Sequence, residues 1–155
     1  MNYQYLNSPV GRLRLVSDGA SLIAIEFENQ QNSIREGAER VDAVLTACRD
    51  QLKEYFAGTR RRFDIPLAPS GTAFQKSVWQ ALSGIPYGQL RSYRDIAEIL
   101  NKSRAVRAVG AANGRNRLPI LVPCHRVIGS DGSLTGFAGG LDAKRALLKL
   151  EGAIQ

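Results

Sequence analysis

The chain has 155 residues, 44% of them hydrophobic and 23% charged, with a net charge of +7. That composition supports a buried core and excludes a disordered chain, and no apolar run is long enough to cross a bilayer. Two cysteines and a single histidine fall short of the four ligands of a structural zinc site, so no metal is expected.

Residues 1–70 hold nine Lys/Arg and nine Asp/Glu, whereas residues 71–155 hold twelve and five. All of the excess charge therefore lies in the second half. That bias suits a surface that meets a polyanion, although a merely soluble basic surface fits the charge equally well. The opening MNYQYLNSPVG lacks the basic and apolar regions of a signal peptide. A cytoplasmic address, or nuclear-type access to DNA, with both thiols free is expected.

The first half reads as β followed by α. YQYLNS, RLRLVS and LIAIEFE alternate with period two, and NSPVG and SDGAS supply turns between them, which predicts a β-meander. REGAERVDAVLTACRDQLKEYFAG has helical spacing, with Val41, Leu45, Leu52 and Phe56 on one stripe and Gly58 as the stop. Cys48 lies within this helix and reads as a core residue without a catalytic role. RRFDIPLAPSG reads as a short strand and then a linker. The domain boundary is placed there, giving residues 1–70 and 71–155.

The second half opens on a helix capped by Thr72, with Phe74, Val78 and Leu82 at helical spacing and Trp79 beside them. Next come a helix over 92–100, a turn Asn101-Lys102-Ser103, and a helix over 104–113 with Ser103 as N-cap. This is a helix-turn-helix pattern, and a plain αα-hairpin matches it equally well. Eight Lys/Arg between Arg91 and Arg126, against Asp95 and Glu98, favour DNA. The second helix is slim: Ala105, Ala108, Gly110, Ala111 and Ala112 leave few amide side chains to read the major groove. Minor-groove binding with weak sequence preference is expected, with Arg104 and Arg107 as its distinctive side chains. A Gly- and Pro-rich loop and a last helix, LDAKRALLKLEG, complete an α/β (α+β) fold, its second part mainly helical.

ILVPCHRVIG, residues 120–129, sets Cys124 beside the only histidine, His125. The apolar ILVP reads as a buried strand. In an extended segment adjacent side chains point to opposite faces, so a direct Cys124–His125 bond needs a turn or an intervening water. No second histidine exists for a papain-like arrangement. An imidazole base needs a group on its other nitrogen. Glu151 can fill that role or be a solvated helix-end residue, and Asp131 reads as a turn residue.

PCHRVIG, together with RAVGAANGRN upstream and TGFAGG and KRALLKLEG downstream, resembles the O6-alkylguanine-DNA alkyltransferase family, also called methylated-DNA–protein-cysteine methyltransferases. The resemblance is strong from about Gly71 to Gly152 and looser before that. It implies that Cys124 accepts the alkyl group, that His125 acts as base through a water, and that Glu151 orients the imidazole. It implies that Asn116 is the hinge between recognition helix and active-site loop. Tyr93 would press on the DNA backbone and aid the leaving group, and Arg107 would fill the space of an extruded base. Val127, Phe137, Ala138 and Gly139 would wall the guanine pocket. Arg94, Arg104 and Ser130 would contact DNA. The implied partner is duplex DNA carrying O6-alkylguanine, bound from the minor groove by a monomer without cofactor, with O4-alkylthymine as a further candidate substrate. Two departures stand out: Arg117 follows Asn116 where proline is common, and Phe137 stands where tyrosine is frequent. The competing readings are a non-catalytic DNA-binding lesion sensor or regulator, and a cysteine hydrolase.

Overall fold

The structure, a computed structural model, describes residues 1–28, 30 and 33–155. The meander is present as β1 (Asn2–Ser8), β2 (Gly11–Ser17) and β3 (Leu22–Phe27), with a short β4 (Ala38–Glu39). The sheet order is β3-β2-β1-β4. The meander strands pair antiparallel, and β4 joins β1 in parallel. Alternation turns Leu13 and Leu15 of β2 fully inward, and Ile25 and Phe27 of β3 are buried with them.

Helix α1 (Ala43–Phe56) packs on this sheet through Leu45, Cys48, Leu52 and Tyr55, all fully buried. Each such leucine contributes about 1.5–3 kcal/mol. The helix starts later than the spacing predicts. Gly37 takes φ +121°, which no helix tolerates, and the chain pairs as β4 before Asp42 caps the helix by accepting from the Leu45 N–H at 2.8 Å. Asp42 also accepts from Asn2 at 2.8 Å and from the Ser17 hydroxyl, which ties the helix start to the sheet. Val41 therefore lies outside the stripe, 57% exposed, and Tyr55 belongs to it instead. The strand expected in RRFDIPLAPSG reduces to a single bridge between Leu67 and Leu22.

In the second half, α2 (Ala73–Ser83) begins at a capping box of Thr72 and Gln75. A two-residue β5 (Arg91–Ser92) leads into α3 (Tyr93–Ile99), whose cap pairs Ser92 with Asp95. Helix α4 (Val106–Gly114) follows and packs on α3 and α2. The connection is longer than the expected three residues. Asn101 adopts φ +57° and closes a Schellman turn, with Lys102 N–H donating to Ala97 O at 2.8 Å and Asn101 N–H to Glu98 O at 2.9 Å. A further turn follows, so Ala105 stands at the N-cap, without a side-chain bond, and Ser103 does not cap the helix. Arg104 consequently precedes α4.

A 3-10 helix (Cys124–Arg126) runs into β6 (Val127–Ile128), and α5 (Leu141–Leu150) ends the fold. Strand β6 pairs in parallel with β5, which sets the start of α3 beside the segment after Cys124. One hydrophobic cluster runs through both halves, from Leu6 to Leu147. Among the described residues no helix is long and apolar enough to cross a membrane, and no cluster of His, Cys, Asp or Glu is suited to a metal ion.

Candidate active site

The segment before Cys124 is buried, yet it is not the expected strand. Ile120 has φ +74°, the Val122 N–H donates to Leu118 O at 2.8 Å, and the Cys124 N–H donates to Val122 O at 2.8 Å across Pro123. Pro123, at φ −80° and ψ 64°, centres an inverse γ-turn. Consecutive turns replace the extended backbone and deliver Cys124 to the start of the 3-10 helix. Asn116 staples them: its Nδ2 donates to Val122 O at 2.9 Å and its Oδ1 accepts from the Leu118 N–H at 3.0 Å. Arg117 O accepts from the Ile25 N–H at 2.9 Å, so β3 holds the residue after the staple.

Cys124 is 5% exposed and unbridged. Burial pushes its thiol up to about 11, against a hydrogen bond from Asn116 and the charge of Lys144. Cys48, inside α1, is pushed up to about 12 by burial alone.

His125 is fully buried, and its Nε2 lies 2.7 Å from Glu151 Oε2. A carboxylate only accepts, so Nε2 carries the proton and donates. Nδ1 then holds the lone pair, and among the described residues it has no hydrogen-bond partner. Burial lowers the His125 pKa and outweighs the opposing pull of Glu151. The resting imidazole is therefore neutral, with its basic nitrogen free.

Glu151 is the C-cap of α5 and receives donors from four places. Arg126 Nε reaches Oε1 at 2.8 Å and Arg126 Nη2 reaches Oε2 at 3.0 Å. The Tyr55 hydroxyl donates to Oε2 at 2.5 Å, and the Gly88 N–H points at Oε1 from 3.5 Å. Burial alone would raise the pKa of this carboxyl, but the bonds from His125, Arg126 and Tyr55 hold it down at about 2. Arg126 supplies the compensating positive charge, and its Nη1 donates to Ile85 O at 2.7 Å.

A second buried cation, Lys144, lies beside β6. Lys144 is fully buried in α5, and its Nζ donates to Val127 O at 2.7 Å and to Thr135 O at 3.1 Å. It thereby fastens the loop after β6 to the segment behind Cys124. Tyr93 reaches the same loop, with its hydroxyl 2.5 Å from Thr135 Oγ1. Its ring lies over Gly110 of α4, where a Cβ would sit 3.8 Å from it. Tyr93 thus bridges α4 and the loop. Phe137 packs edge-on against Phe27 of β3 at 5.2 Å, and a Cβ on Gly139 would meet the Phe27 ring at 2.7 Å. Val127 is buried and Ala138 exposed.

Arg94, Arg104 and Arg107 are exposed, and none forms an ion pair among the described residues. Ser130 is exposed beside Asp131, which the Ser133 N–H and hydroxyl bind as a turn residue.

Sequence reasoning missed Tyr55, Arg126, Lys144 and Thr135. Arg126 sits inside an apolar run, where a buried guanidinium demands a carboxylate. Lys144 shares the inward stripe of α5 with Leu147 and Leu148. Those two signals were readable. Nothing local to Tyr55 or Thr135 announces its partner.

Two models of one family cover the chain. The 6-O-methylguanine DNA methyltransferase DNA-binding domain matches residues 73–153, and the ribonuclease-like domain of the same family matches residues 1–69. The methylated-DNA–protein-cysteine methyltransferase of Methanosarcina barkeri is 48% identical over 153 residues, 97% of either chain. That of Haemophilus influenzae is 48% identical over 96% of this chain and 85% of its own. The fold superposes on Mycobacterium tuberculosis OGT in complex with DNA with a TM-score of 0.92 at 44% identity, covering 99% of this chain and 94% of the other. With both halves matched and near-half identity along almost the whole length, the chain belongs to the 6-O-methylguanine DNA methyltransferase family.

Proposed function

We propose that this protein repairs DNA by moving the alkyl group of O6-alkylguanine onto its own Cys124. The observation that carries this reading is the buried His125, protonated on the nitrogen facing Glu151 and free on the other. Such an imidazole is a base aimed away from its carboxylate. A water between Nδ1 and the thiol would pass the proton, since burial disfavours a standing thiolate. The thiolate attacks the alkyl carbon, the C–S bond forms and the C–O6 bond breaks, with its electron pair leaving on guanine. The proton lost by the thiol ends, in net, on guanine. Glu151 and Arg126 accommodate the transient imidazolium. Tyr93, held through Thr135 at the pocket loop, is the donor assigned to the leaving base.

The thioether has no route back to a thiol, so each molecule acts once, and no cofactor takes part. The reacting carbon lies inside the base stack, so the nucleotide must be turned out, at a cost of a few kcal/mol. Arg107, exposed at the start of α4, enters the vacated space. The small residues of α4 fit a minor groove, with Arg94, Arg104 and Ser130 on the phosphates, which makes binding steeply salt-dependent. Val127, Phe137, Ala138 and Gly139 wall the base. The protein works as a cytoplasmic monomer.

The test is intact mass after incubation with a duplex carrying O6-methylguanine. One added methyl on Cys124, absent from Cys124→Ser, is expected. Binding without a mass change would refute transfer and leave a lesion sensor. Arg107→Ala should slow repair of the duplex far more than reaction with free O6-benzylguanine, and equal losses would refute the insertion role.

A further inference from the structure

Glu151 Oε2 carries three donors, and one comes from the far half of the chain. His125 Nε2 and Arg126 Nη2 approach from the 3-10 helix at 2.7 and 3.0 Å, and the Tyr55 hydroxyl approaches from α1 at 2.5 Å. The Tyr55 ring is fully buried between Phe56 at 5.3 Å, Phe63 at 5.5 Å and Tyr87 at 6.2 Å. It has no freedom to turn its hydroxyl elsewhere.

Two more contacts run from the same half to the site. The Ile25 N–H of β3 holds Arg117 O beside the Asn116 staple, and Phe27 packs on Phe137 and against Gly139. The sheet and α1 therefore touch the hinge, the pocket loop and the carboxylate.

We propose that Tyr55, a residue of the first half of the chain, is a positioning residue for alkyl transfer that acts through Glu151. This rests on the transfer reading above. The phenol donates to the oxygen that receives the His125 proton donor. It occupies one lone pair, fixes the carboxylate plane and reduces the basicity of Oε2 toward the imidazole. A third donor weakens the hold of Glu151 on an imidazolium, so Tyr55 keeps His125 neutral and its Nδ1 available. The groups facing Glu151 are His125 and Arg126 from the 3-10 helix, Tyr55 from α1 and the Gly88 N–H from the turn before β5. Tyr87 stacks beneath the Arg126 guanidinium at 5.7 Å.

His125 is the only histidine of the chain, so its ring can be titrated by NMR without assignment conflict. Tyr55→Phe keeps the ring and removes the hydroxyl. Its His125 midpoint should rise by about half a pH unit, and the acid limb of the methyl-transfer rate should move up by the same amount. A role confined to packing would lower thermal stability and leave both midpoints in place, which would overturn the proposal. If the parent protein transfers no methyl, the transfer reading fails, while the imidazole titration still decides the role of Tyr55. Should Tyr55→Phe not fold, the parent answers the question. A slowly exchanging Tyr55 hydroxyl proton with a cross-peak to the His125 Nε2 proton supports the contact, and its absence overturns it.

Discussion

Replacing Glu151 by glutamine isolates the charge at the centre of the site. In Glu151→Gln the amide keeps the shape of the side chain and one acceptor for His125, but removes the negative charge from a bidentate pair with Arg126 at 2.8 and 3.0 Å. The two side chains are 0% and 7% exposed, so water cannot replace the lost partner. Leaving one buried charge unpaired costs about 3–5 kcal/mol. That is a large part of the ~5–15 kcal/mol that stabilises a typical domain. At about 2–4 °C per kcal/mol for a chain of this size, the melting temperature should fall by roughly 6–20 °C. Arg126→Met should cost a similar amount, because it strands the carboxylate. The double variant strands neither charge, so its loss should be smaller than the sum by about 2–3 kcal/mol. The bond from Arg126 to Ile85 O disappears in the Arg126 single variant and the double variant alike and cancels in the cycle. Urea unfolding of the four proteins measures this, with the m-value as a check on a common denatured state. Additivity within about 0.5 kcal/mol would refute the view that Arg126 is the cation that neutralises Glu151.

Three further predictions follow from single observations. Gly139→Ala drives a Cβ to 2.7 Å from the Phe27 ring; the strain of about 1–3 kcal/mol should slow methyl transfer in quenched-flow assays, Phe27→Leu should restore it, and an unaffected rate would show that the loop is not docked on β3. Stability should decline as pH falls from about 6.5, because the folded pKa of His125 is depressed below its unfolded value. The carboxyl of Glu151 adds a second loss as pH falls from the ordinary carboxylate range toward about 2. A urea midpoint constant from pH 7 to 5 would contradict the first of these. Asn101→Ala forces an alanine into φ +57° and should cost about 1–2 kcal/mol, whereas Asn101→Gly should be near neutral; equal effects in thermal melts would show that the Schellman turn is not what ends α3.

The sheet was legible because period-two alternation is a local signal, and Leu13 and Leu15 report the buried face unaided. The helix start at Asp42 was misplaced because helical spacing continues backward through Val41, while Gly37 and the pairing of β4 with β1 are set by tertiary contacts. ILVP misled for a related reason. Its apolar content signals burial and says nothing of φ, and Ile120 adopts the left-handed region that its side chain disfavours. Adjacency of Cys124 and His125 and a carboxylate at Glu151 were readable, and the structure places the carboxylate against the imidazole. Arg126 and Lys144 were counted with the basic charge by composition alone, although their positions, in an apolar run and on the inward stripe of α5, marked them as buried. Tyr55 was hidden by distance along the chain.

That distance also orders events during synthesis. Tyr55 and Glu151 are 96 residues apart, and a ribosome adding about 5–20 residues per second needs roughly 5–20 s to travel between them. Cys124 and His125 are both made within that interval, before the carboxylate exists. The nascent chain therefore carries its thiol beside an unanchored imidazole, and the His125–Glu151 pair forms only when the last helix docks. Under the proposed transfer reading, the thiol gains its oriented base only at this last step of assembly.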